Sequence, residues 1–210
     1  MSRQYHRMNS VSLPALRVLI LAAGFSSRLG EPKALARVHG ISLLRKALQL
    51  AANLGPAGII AVVPRNAARY RIEARGIHVV FKDNSQRTQG LSSSVRRGIT
   101  AARYSPALLL LPVDLVNLRR RDLMRLISSW RGARRRVTAR RIGRQGGAPL
   151  ILPRRLYPRS LELQGDIGLR EMLNALPREA VRFVDMPSAR LDIDTPRDLQ
   201  AARRRFQGVE

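Results

Sequence analysis

The 210 residues include 39 basic and 14 acidic side chains, a formal net charge of +25, and no cysteine, which excludes disulfides and thiolate chemistry. Apolar residues make up 45% of the chain, enough for one α/β domain with a sizeable core, and no run approaches the ~20 apolar residues of a membrane helix. Aromatic residues are only 4% and the arginines are spread along the whole chain, which favours biased arginine usage over a nucleic-acid-binding role. The charge should still steer an anionic small substrate towards the protein.

The first residues differ in character from the rest. Residues 1–15 are basic and contain no apolar segment long enough for a secretory signal. We therefore expect a flexible basic N-terminus over residues 1–15, one domain over residues 16–207, and a cytoplasmic protein.

Hydrophobic periodicity predicts alternating strands and helices as far as Trp130. The predicted strands are Arg17–Leu21, Gly58–Val63, Ile77–Phe81 and Ala107–Leu111. The predicted helices are Leu43–Leu54 capped by Ser42, a helix from Asn66 as cap to Ala74, a helix from Ser92 or Ser93 to Arg103, and Arg120–Trp130. This alternation predicts an α/β fold, a single-domain Rossmann-like three-layer sandwich with a mostly parallel sheet.

The pattern changes after this alternation. Val137–Ala139 and Leu150–Leu152 predict an edge hairpin. The remaining predicted elements are a helix at Leu169–Leu176, a strand at Val181–Val184, an extended segment at Leu191–Asp194 and a last helix at Arg197–Phe206. Thr195, Pro196 and Asp198 predict a start for that last helix that resembles a capping box.

The loop that follows the first strand, residues 21–35, has the composition of a nucleotide-binding loop. It leaves the carboxyl end of a strand, where open α/β sheets bind their ligands. Gly24 and Gly30 allow a close backbone approach, while Arg28 and Lys33 supply positive charge, a combination that suits a nucleoside triphosphate. Lys33 is one of only three lysines in an arginine-rich chain, which suggests that a compact ammonium is needed there. The spacing is that of neither a P-loop nor a dinucleotide fingerprint, and an ordinary glycine-rich turn is the alternative.

Five segments, in the same order, resemble the sugar-phosphate and cofactor nucleotidyltransferases, and most closely the molybdenum cofactor cytidylyltransferases and guanylyltransferases. The segments are Leu21-Ala22-Ala23-Gly24 through Arg28-Leu29-Gly30 to Pro32-Lys33-Ala34-Leu35, Asn84 to Gly90 with Ser92-Ser93-Ser94, Gly146-Gly147-Ala148-Pro149, Gly165-Asp166-Ile167-Gly168-Leu169-Arg170, and Asp192-Ile193-Asp194-Thr195-Pro196. The chain departs from the family pattern in lacking a proline two residues after Asp114 and in carrying Ala148 where a histidine is common.

The resemblance implies the fold of nucleotide-diphospho-sugar transferases and the transfer of a nucleotide to a phosphate-bearing substrate with release of pyrophosphate. The residues implied to bind the nucleotide are Leu21, Ala22, Ala23, Gly24, Arg28, Lys33, Gly90, Ser92 and Ser94. Arg28, Lys33 and Asp114 are the implied catalytic residues, and Gly147 and Asp166 are implied to contact the second substrate. Asp166 and the serines could instead only cap the helices that follow them.

Three aspartates are candidates for a Mg²⁺ site, because magnesium is typically held by one or two carboxylates and by phosphates. Asp114 follows a buried strand at the carboxyl edge of the predicted sheet. Asp192 and Asp194 are two residues apart in an extended segment, so both project to one face, and one or both could complete the site. Alternatively, Asp114 is a solvated loop residue and Asp194 shares in the cap of the last helix.

The expected partners are therefore a nucleoside triphosphate, CTP or GTP, a phosphorylated acceptor similar to molybdopterin, and a molybdoenzyme or accessory protein. No specific nucleic acid and no membrane are expected. A guanylyltransferase or a sugar-phosphate nucleotidyltransferase is the nearest alternative. From other classes, a non-catalytic protein that binds and inserts a cofactor comes next, and a nucleic-acid binder comes third.

Overall fold

The computed structural model describes residues 16–24, 26, 28–165, 169–190 and 192–205. The predicted N-terminal segment 1–15 and Asp166 lie outside these ranges. The strands are β1 (Leu16–Leu21), β2 (Arg37–Val38), β3 (Ile41–Ser42), β4 (Ile59–Pro64), β5 (Val80–Asn84), β6 (Ala107–Pro112), β7 (Val137–Ile142), β8 (Gln145–Pro153) and β9 (Val181–Val184). The helices are α1 (Leu43–Ala52), α2 (Ala68–Ile72), α3 (Leu91–Ala101), α4 (Arg120–Arg131), α5 (Tyr157–Leu161), α6 (Leu169–Asn174) and α7 (Pro196–Arg205).

Seven of these strands form one sheet in the order β5-β4-β1-β6-β8-β7-β9. Strands β5, β4, β1 and β6 are parallel to one another, and β9 is parallel to β7. Only β8 runs antiparallel to its neighbours. The predicted α/β fold with a mostly parallel sheet is confirmed, and it places the carboxyl ends of β1 and β6 side by side.

Helices cover both faces of the sheet, as a sheet with buried parallel strands requires. Val18 and Ile20 of β1 pack into one apolar cluster with α1 and α4, whereas Leu19 packs into a second cluster on the opposite face with α3. All three side chains are fully buried. Burying one such side chain typically contributes about 1.5–3 kcal/mol. The alternation along a single strand therefore divides the core into two layers.

The predicted helix starts are partly wrong. Ser42 caps α1 as predicted, since its hydroxyl accepts a hydrogen bond from the backbone N–H of Arg45. Asn66 does not cap α2, because Ala67 holds that position and Asn66 adopts a left-handed turn conformation with φ of 59°. Helix α3 starts after Gly90, whose φ of 84° favours glycine, so Ser92 and its neighbours lie inside the helix rather than at its cap.

The predicted edge hairpin is also wrong in its placement. Strands β7 and β8 do form a hairpin, but β8 pairs with β6 on its other side and β7 pairs with β9. The hairpin thus lies inside the sheet and β9 forms the edge. Leu150–Leu152 is buried throughout, and a continuous apolar run is typical of an interior strand that is covered on both faces.

No helix in the described ranges is both long enough and apolar enough to cross a lipid bilayer.

Candidate active site

A cavity of about 580 Å³ opens where β1 and β6 end. Ten of the residues predicted from the sequence line it, namely Leu21, Ala22, Gly24, Arg28, Lys33, Ser94, Asp114, Gly147, Asp192 and Asp194. They come from five separate parts of the chain and meet because the sheet brings the corresponding strand ends and loops together. The position agrees with the rule that ligands of open α/β sheets bind beyond the carboxyl ends of the strands.

Within this cavity, Lys33 contacts two carboxylates that are distant from it in the sequence. Its Nζ donates to Oδ2 of Asp114 at 3.2 Å and to Oδ1 of Asp194 at 2.5 Å. Burial acts to lower the pKa of the Lys33 ammonium, but the charges and hydrogen bonds of the two aspartates outweigh it, so the pKa is raised above its ordinary value. An ammonium that is charged at neutral pH is thus held between two carboxylates.

The backbone of the glycine-bearing loop holds Lys33 in place. The backbone N–H of Lys33 donates to Oγ of Ser26 at 2.9 Å, and the carbonyl of Ser26 accepts from Leu29 at 2.9 Å. Ser26 has a φ of 54°, in the left-handed region. Lys33 then begins a short 3₁₀ turn, Lys33–Leu35, in which Leu35 is buried. The loop therefore folds back on itself, and Lys33 is anchored on both sides.

Backbone contacts also join the segment after β6 to the segment before α7. The backbone N–H of Ile193 donates to the carbonyl of Asp114 at 3.2 Å, and Leu115 forms an isolated β-bridge with Asp192. Ile193 is 1% exposed. Because this buried residue separates the two neighbouring aspartates, both aspartates are turned towards the cavity side of the segment.

The predicted capping box at α7 is confirmed, and it holds one of these aspartates. Oδ2 of Asp198 accepts from the backbone N–H of Thr195 at 2.8 Å and from that of Asp194 at 3.2 Å. The hydroxyl of Thr195 accepts in return from the backbone N–H of Asp198 at 3.2 Å. The hydroxyl of Thr195 also donates to Oδ2 of Asp198 at 2.8 Å. This side-chain bond lowers the pKa of Asp198 most, and the bonds from the backbone N–H groups of Thr195 and Asp194 lower it further. The backbone of Asp194 thus takes part in the cap while its side chain is left for Lys33.

Arg140, which the sequence analysis did not single out, lies beneath Asp192. Its guanidinium is buried, lies 3.6 Å from Oδ1 of Asp192 and donates to the carbonyl of Ala189. Burial raises the pKa of Asp192; the nearby Arg140 opposes the shift, and Asp114 adds to it. In the sequence, side-chain alternation along β7 places Arg140 on one face with Thr138 and Ile142. Which face meets the cavity becomes clear only from the strand pairing.

Asn84 connects β5 to the cavity through the serine segment. Its Nδ2 donates to Oγ of Ser93 at 2.9 Å and to Oγ of Ser94 at 3.0 Å, and all three residues are buried. Ser94 lines the cavity. The resemblance of this segment to the family pattern thus corresponds to a buried polar network that fixes the start of α3.

Three of the residues predicted to bind the nucleotide do not line this cavity. Ala23 is 1% exposed and packs in the apolar core. Ser92 is fully buried and its hydroxyl accepts from Arg96 at 3.2 Å. Gly90 borders a separate, more open cavity of about 640 Å³. Asp166 lies outside the described residues, so its predicted contact with the second substrate stays a prediction.

The carboxylates can be compared with the needs of a divalent cation. The described residues contain no cluster of three or more carboxylate, histidine or cysteine side chains that could by themselves hold a metal ion. Asp114 and Asp194 nevertheless approach the same ammonium, so their oxygens are close to each other. Two carboxylates suffice for magnesium when substrate phosphates and water supply the other ligands. The donor set therefore fits a cation that arrives with a nucleotide.

The class of protein that this fold and the matching family model define is the α/β nucleotidyltransferases. The family model described as MobA-like NTP transferase domain matches residues 18–181. The chain belongs to that family. No curated protein sequence matches the chain.

Solved structures share the fold. A nucleotidyl transferase from Methanothermobacter thermautotrophicus is 22% identical with a TM-score of 0.75, covering 92% of this chain and 98% of its own. Rv0371c from Mycobacterium tuberculosis, solved in complex with manganese, is 22% identical with a TM-score of 0.72, covering 93% and 100%. Molybdopterin-guanine dinucleotide biosynthesis protein A from Archaeoglobus fulgidus is 13% identical with a TM-score of 0.65, covering 92% and 100%.

Proposed function

We propose that this nucleotidyltransferase moves CMP from CTP to a phosphorylated cofactor such as molybdopterin, with Mg²⁺, and releases pyrophosphate. The observation that carries the proposal is the contact of Lys33 with both Asp114 and Asp194 inside the cavity at the carboxyl edge of the sheet. The last three sequence motifs, at residues 146–149, 165–170 and 192–196, are most similar to the cytidylyltransferase branch. GTP is the alternative donor, and the structural likeness to the guanine dinucleotide biosynthesis protein keeps it open.

The reaction requires little covalent chemistry from the protein. An oxygen of the acceptor phosphate forms a bond to the α-phosphorus of the triphosphate, and the bond from that phosphorus to the bridging oxygen of the β-phosphate breaks. The electron pair leaves with pyrophosphate. Catalysis then depends on holding the two phosphates in line and on neutralising the negative charge that collects between them.

The loop from Leu21 to Lys33 would bind the triphosphate. Ala22 and Gly24 line the cavity, and the exposed Gly24 lets the backbone of the loop come close to the base or to phosphate oxygens. The exposed guanidinium of Arg28 can bind two phosphate oxygens at once. Lys33, whose ammonium is fixed and charged, would neutralise the charge at the reacting phosphorus.

Asp114 and Asp194 would hold the divalent cation together with phosphate oxygens. When bound, the cation supplies additional neutralisation of the triphosphate charge. The manganese complex of the mycobacterial structure supports a divalent cation in a protein of this fold. The capping box at α7 and the hydrogen bond from Ile193 to Asp114 keep the two carboxylates on the same side of the cavity.

The acceptor would occupy the side of the cavity bounded by β7 and β8. Gly147 and Ala148 line this side together with Arg140 and Arg170. A Cβ on Gly147 would come within 2.4 Å of Ile142, so glycine keeps this wall free of a further side chain. Two guanidinium groups suit an acceptor that carries phosphate. A molybdoenzyme or an accessory protein would then receive the product.

The test is pyrophosphate release with CTP and with GTP, each with Mg²⁺ and molybdopterin. We expect release with CTP, and its loss in Asp114→Asn. Asp185→Asn is the matched control, because Asp185 pairs with Arg141 at the surface and does not line the cavity. Absence of release with any phosphorylated acceptor would overturn the proposal, and release with GTP alone would replace CTP by the alternative donor.

A further inference from the structure

The edge of the sheet opposite the cavity has a distinct chemical character. The register places Ala107 of β6 beside Leu16 of β1 and beside Pro153 of β8. Further along the same edge, Val137 of β7 pairs with Val181 of β9. Here β1, β6, β7 and β9 begin, whereas the cavity lies where β1 and β6 end. Any ligand bound at this edge is therefore separated from the catalytic site by the length of the strands.

Arginines occupy the segments that lead into and out of these strand ends. They are Arg103, Arg134, Arg135, Arg136, Arg154, Arg155, Arg178 and Arg182, together called the basic edge, and all are exposed. Contacts between the segments bring them together: Nε of Arg155 donates to the carbonyl of Arg135, and the backbone N–H of Arg154 donates to the carbonyl of Pro106 at 2.9 Å. The cluster is thus built by the fold from four distant parts of the sequence.

The charge of the basic edge is not neutralised within the described part of the chain. Among the described residues, the carboxylates that form ion pairs lie outside the basic edge. They are Glu73, Asp83, Asp114, Asp122, Asp185, Asp192 and Asp194. Glu179 shares a short turn with Arg178 but forms no ion pair within 4.0 Å in these ranges. Neighbouring cations repel one another, so the basic edge favours an external polyanion.

The surroundings of the arginines indicate which polyanion fits. Tyr104, which has a large aromatic ring, is 70% accessible at this edge, and the guanidinium of Arg103 lies 4.5 Å from its ring centre. Protein interfaces have an apolar core from which charge is depleted, and the described residues of this edge offer no such core. Binding to a phosphodiester chain depends instead on many cation–phosphate contacts. The five neighbouring strands β1, β6, β8, β7 and β9 reach this edge. At a spacing of about 4.8 Å they span about 20 Å, which is the length of about six base pairs of duplex.

We propose that the basic edge binds the phosphodiester backbone of duplex nucleic acid, independently of base sequence. The arginine forks bind phosphate oxygens in pairs, and release of counterions from the duplex drives association. Contacts to phosphates carry no sequence information, so no base is read. The binding surface and the nucleotidyl-transfer cavity are separate, so either can be tested without the other.

The experiment compares two triple variants of equal charge by fluorescence polarisation with a labelled duplex of about 20 base pairs, between about 50 and 200 mM salt. The first variant is Arg134→Gln, Arg135→Gln and Arg136→Gln in the basic edge. The control is Arg69→Gln, Arg75→Gln and Arg121→Gln, exposed residues away from it. We expect the first variant to weaken binding at least about tenfold and to reduce the salt slope by about 3, and the control to weaken it by less than about threefold.

Equal losses in both triple variants would show that net charge alone is responsible and would overturn the proposal. If the first variant does not melt cooperatively, a second basic-edge variant, Arg103→Gln, Arg154→Gln and Arg178→Gln, takes its place. Polyglutamate and phosphatidylserine vesicles are tested as competitors of the duplex. If the basic-edge variant loses more affinity for either competitor than for the duplex, the surface is assigned to an acidic protein or to a membrane. That result would equally overturn the proposal.

Discussion

The ammonium of Lys33 lies 2.5 Å from Oδ1 of Asp194, although 161 residues separate them in the chain. The same nitrogen lies 3.2 Å from Oδ2 of Asp114. A loop that follows the first strand thereby meets the segment that precedes the last helix. The candidate catalytic charges are therefore brought together by tertiary contacts between distant parts of the chain.

Replacing Lys33 by arginine tests whether a compact ammonium is needed. An arginine fork is wider than an ammonium and cannot sit between two carboxylates in the same way, so we expect Lys33→Arg to lower kcat/KM for nucleotidyl transfer by about 10²-fold or more. The measurement is pyrophosphate release at several CTP concentrations. Lys82→Arg is the matched control, because Lys82 lies in β5 and does not line the cavity. Full retention of activity in Lys33→Arg would refute this requirement.

The two neighbouring aspartates should differ in their effect on the metal requirement. Asp194 shares Lys33 with Asp114, whereas Asp192 is paired with Arg140 and has a raised pKa. We therefore expect Asp194→Asn to weaken the apparent Mg²⁺ affinity in turnover by about tenfold or more, and Asp192→Asn to weaken it much less. Titration of activity with Mg²⁺ measures both. A larger effect at Asp192 would assign the second carboxylate ligand to that residue instead.

Local sequence patterns were sufficient to predict most of the fold and part of the site. The apolar runs gave β1 and β6 nearly to the residue, and Thr195 with Asp198 indicated the start of α7 correctly. Such features are encoded by neighbouring residues, through side-chain alternation and capping bonds that span three or four positions.

Features that depend on long-range pairing were not predictable in the same way. The interior position of β8 is set by its pairing with β6, which is about forty residues away in the chain. The role of Arg140 depends on the same hairpin, because its guanidinium reaches Asp192 only after β7 has joined the sheet. Nothing adjacent to Arg140 in the sequence distinguishes it from the many exposed arginines.

The capping box at α7 should make stability depend on pH at the acidic end. The pKa of Asp198 is lowered, chiefly by the hydrogen bond from Thr195, so the unfolded state binds the proton more tightly than the native state. This stabilisation is fully present above the unfolded pKa of about 3.9 and is lost as pH falls through the lower native value. Urea denaturation of the wild type and of Asp198→Asn between neutral and acidic pH measures it. We expect the free energy of unfolding of the variant to fall less steeply with decreasing pH than that of the wild type. Parallel pH profiles for the two proteins would contradict the role of Asp198 in this pH dependence.

Removing the partner hydroxyl tests the same cap at neutral pH. Thr195→Ala abolishes the bond to the backbone N–H of Asp198 and should lower the free energy of unfolding by about 1 kcal/mol. Thr100→Ala is the control, because Thr100 is exposed on α3 and its hydroxyl donates to the carbonyl of Arg96 within its own helix. Equal effects in the two variants, by urea denaturation, would mean that the cap contributes nothing specific.

Gly98 lets α3 approach β1 more closely than a side chain would allow. A Cβ at this position would lie 2.5 Å from both terminal methyl groups of Leu19, which is fully buried and cannot move into open space. Alanine would favour the helix by about 1 kcal/mol, whereas overpacking typically costs about 1–3 kcal/mol. We expect Gly98→Ala to lower the free energy of unfolding in urea. Gly132→Ala should not lower it, because the nearest atoms to a Cβ there are 3.6 Å away or more. A stabilised Gly98→Ala variant would show instead that α3 can move away from β1 at little cost in free energy.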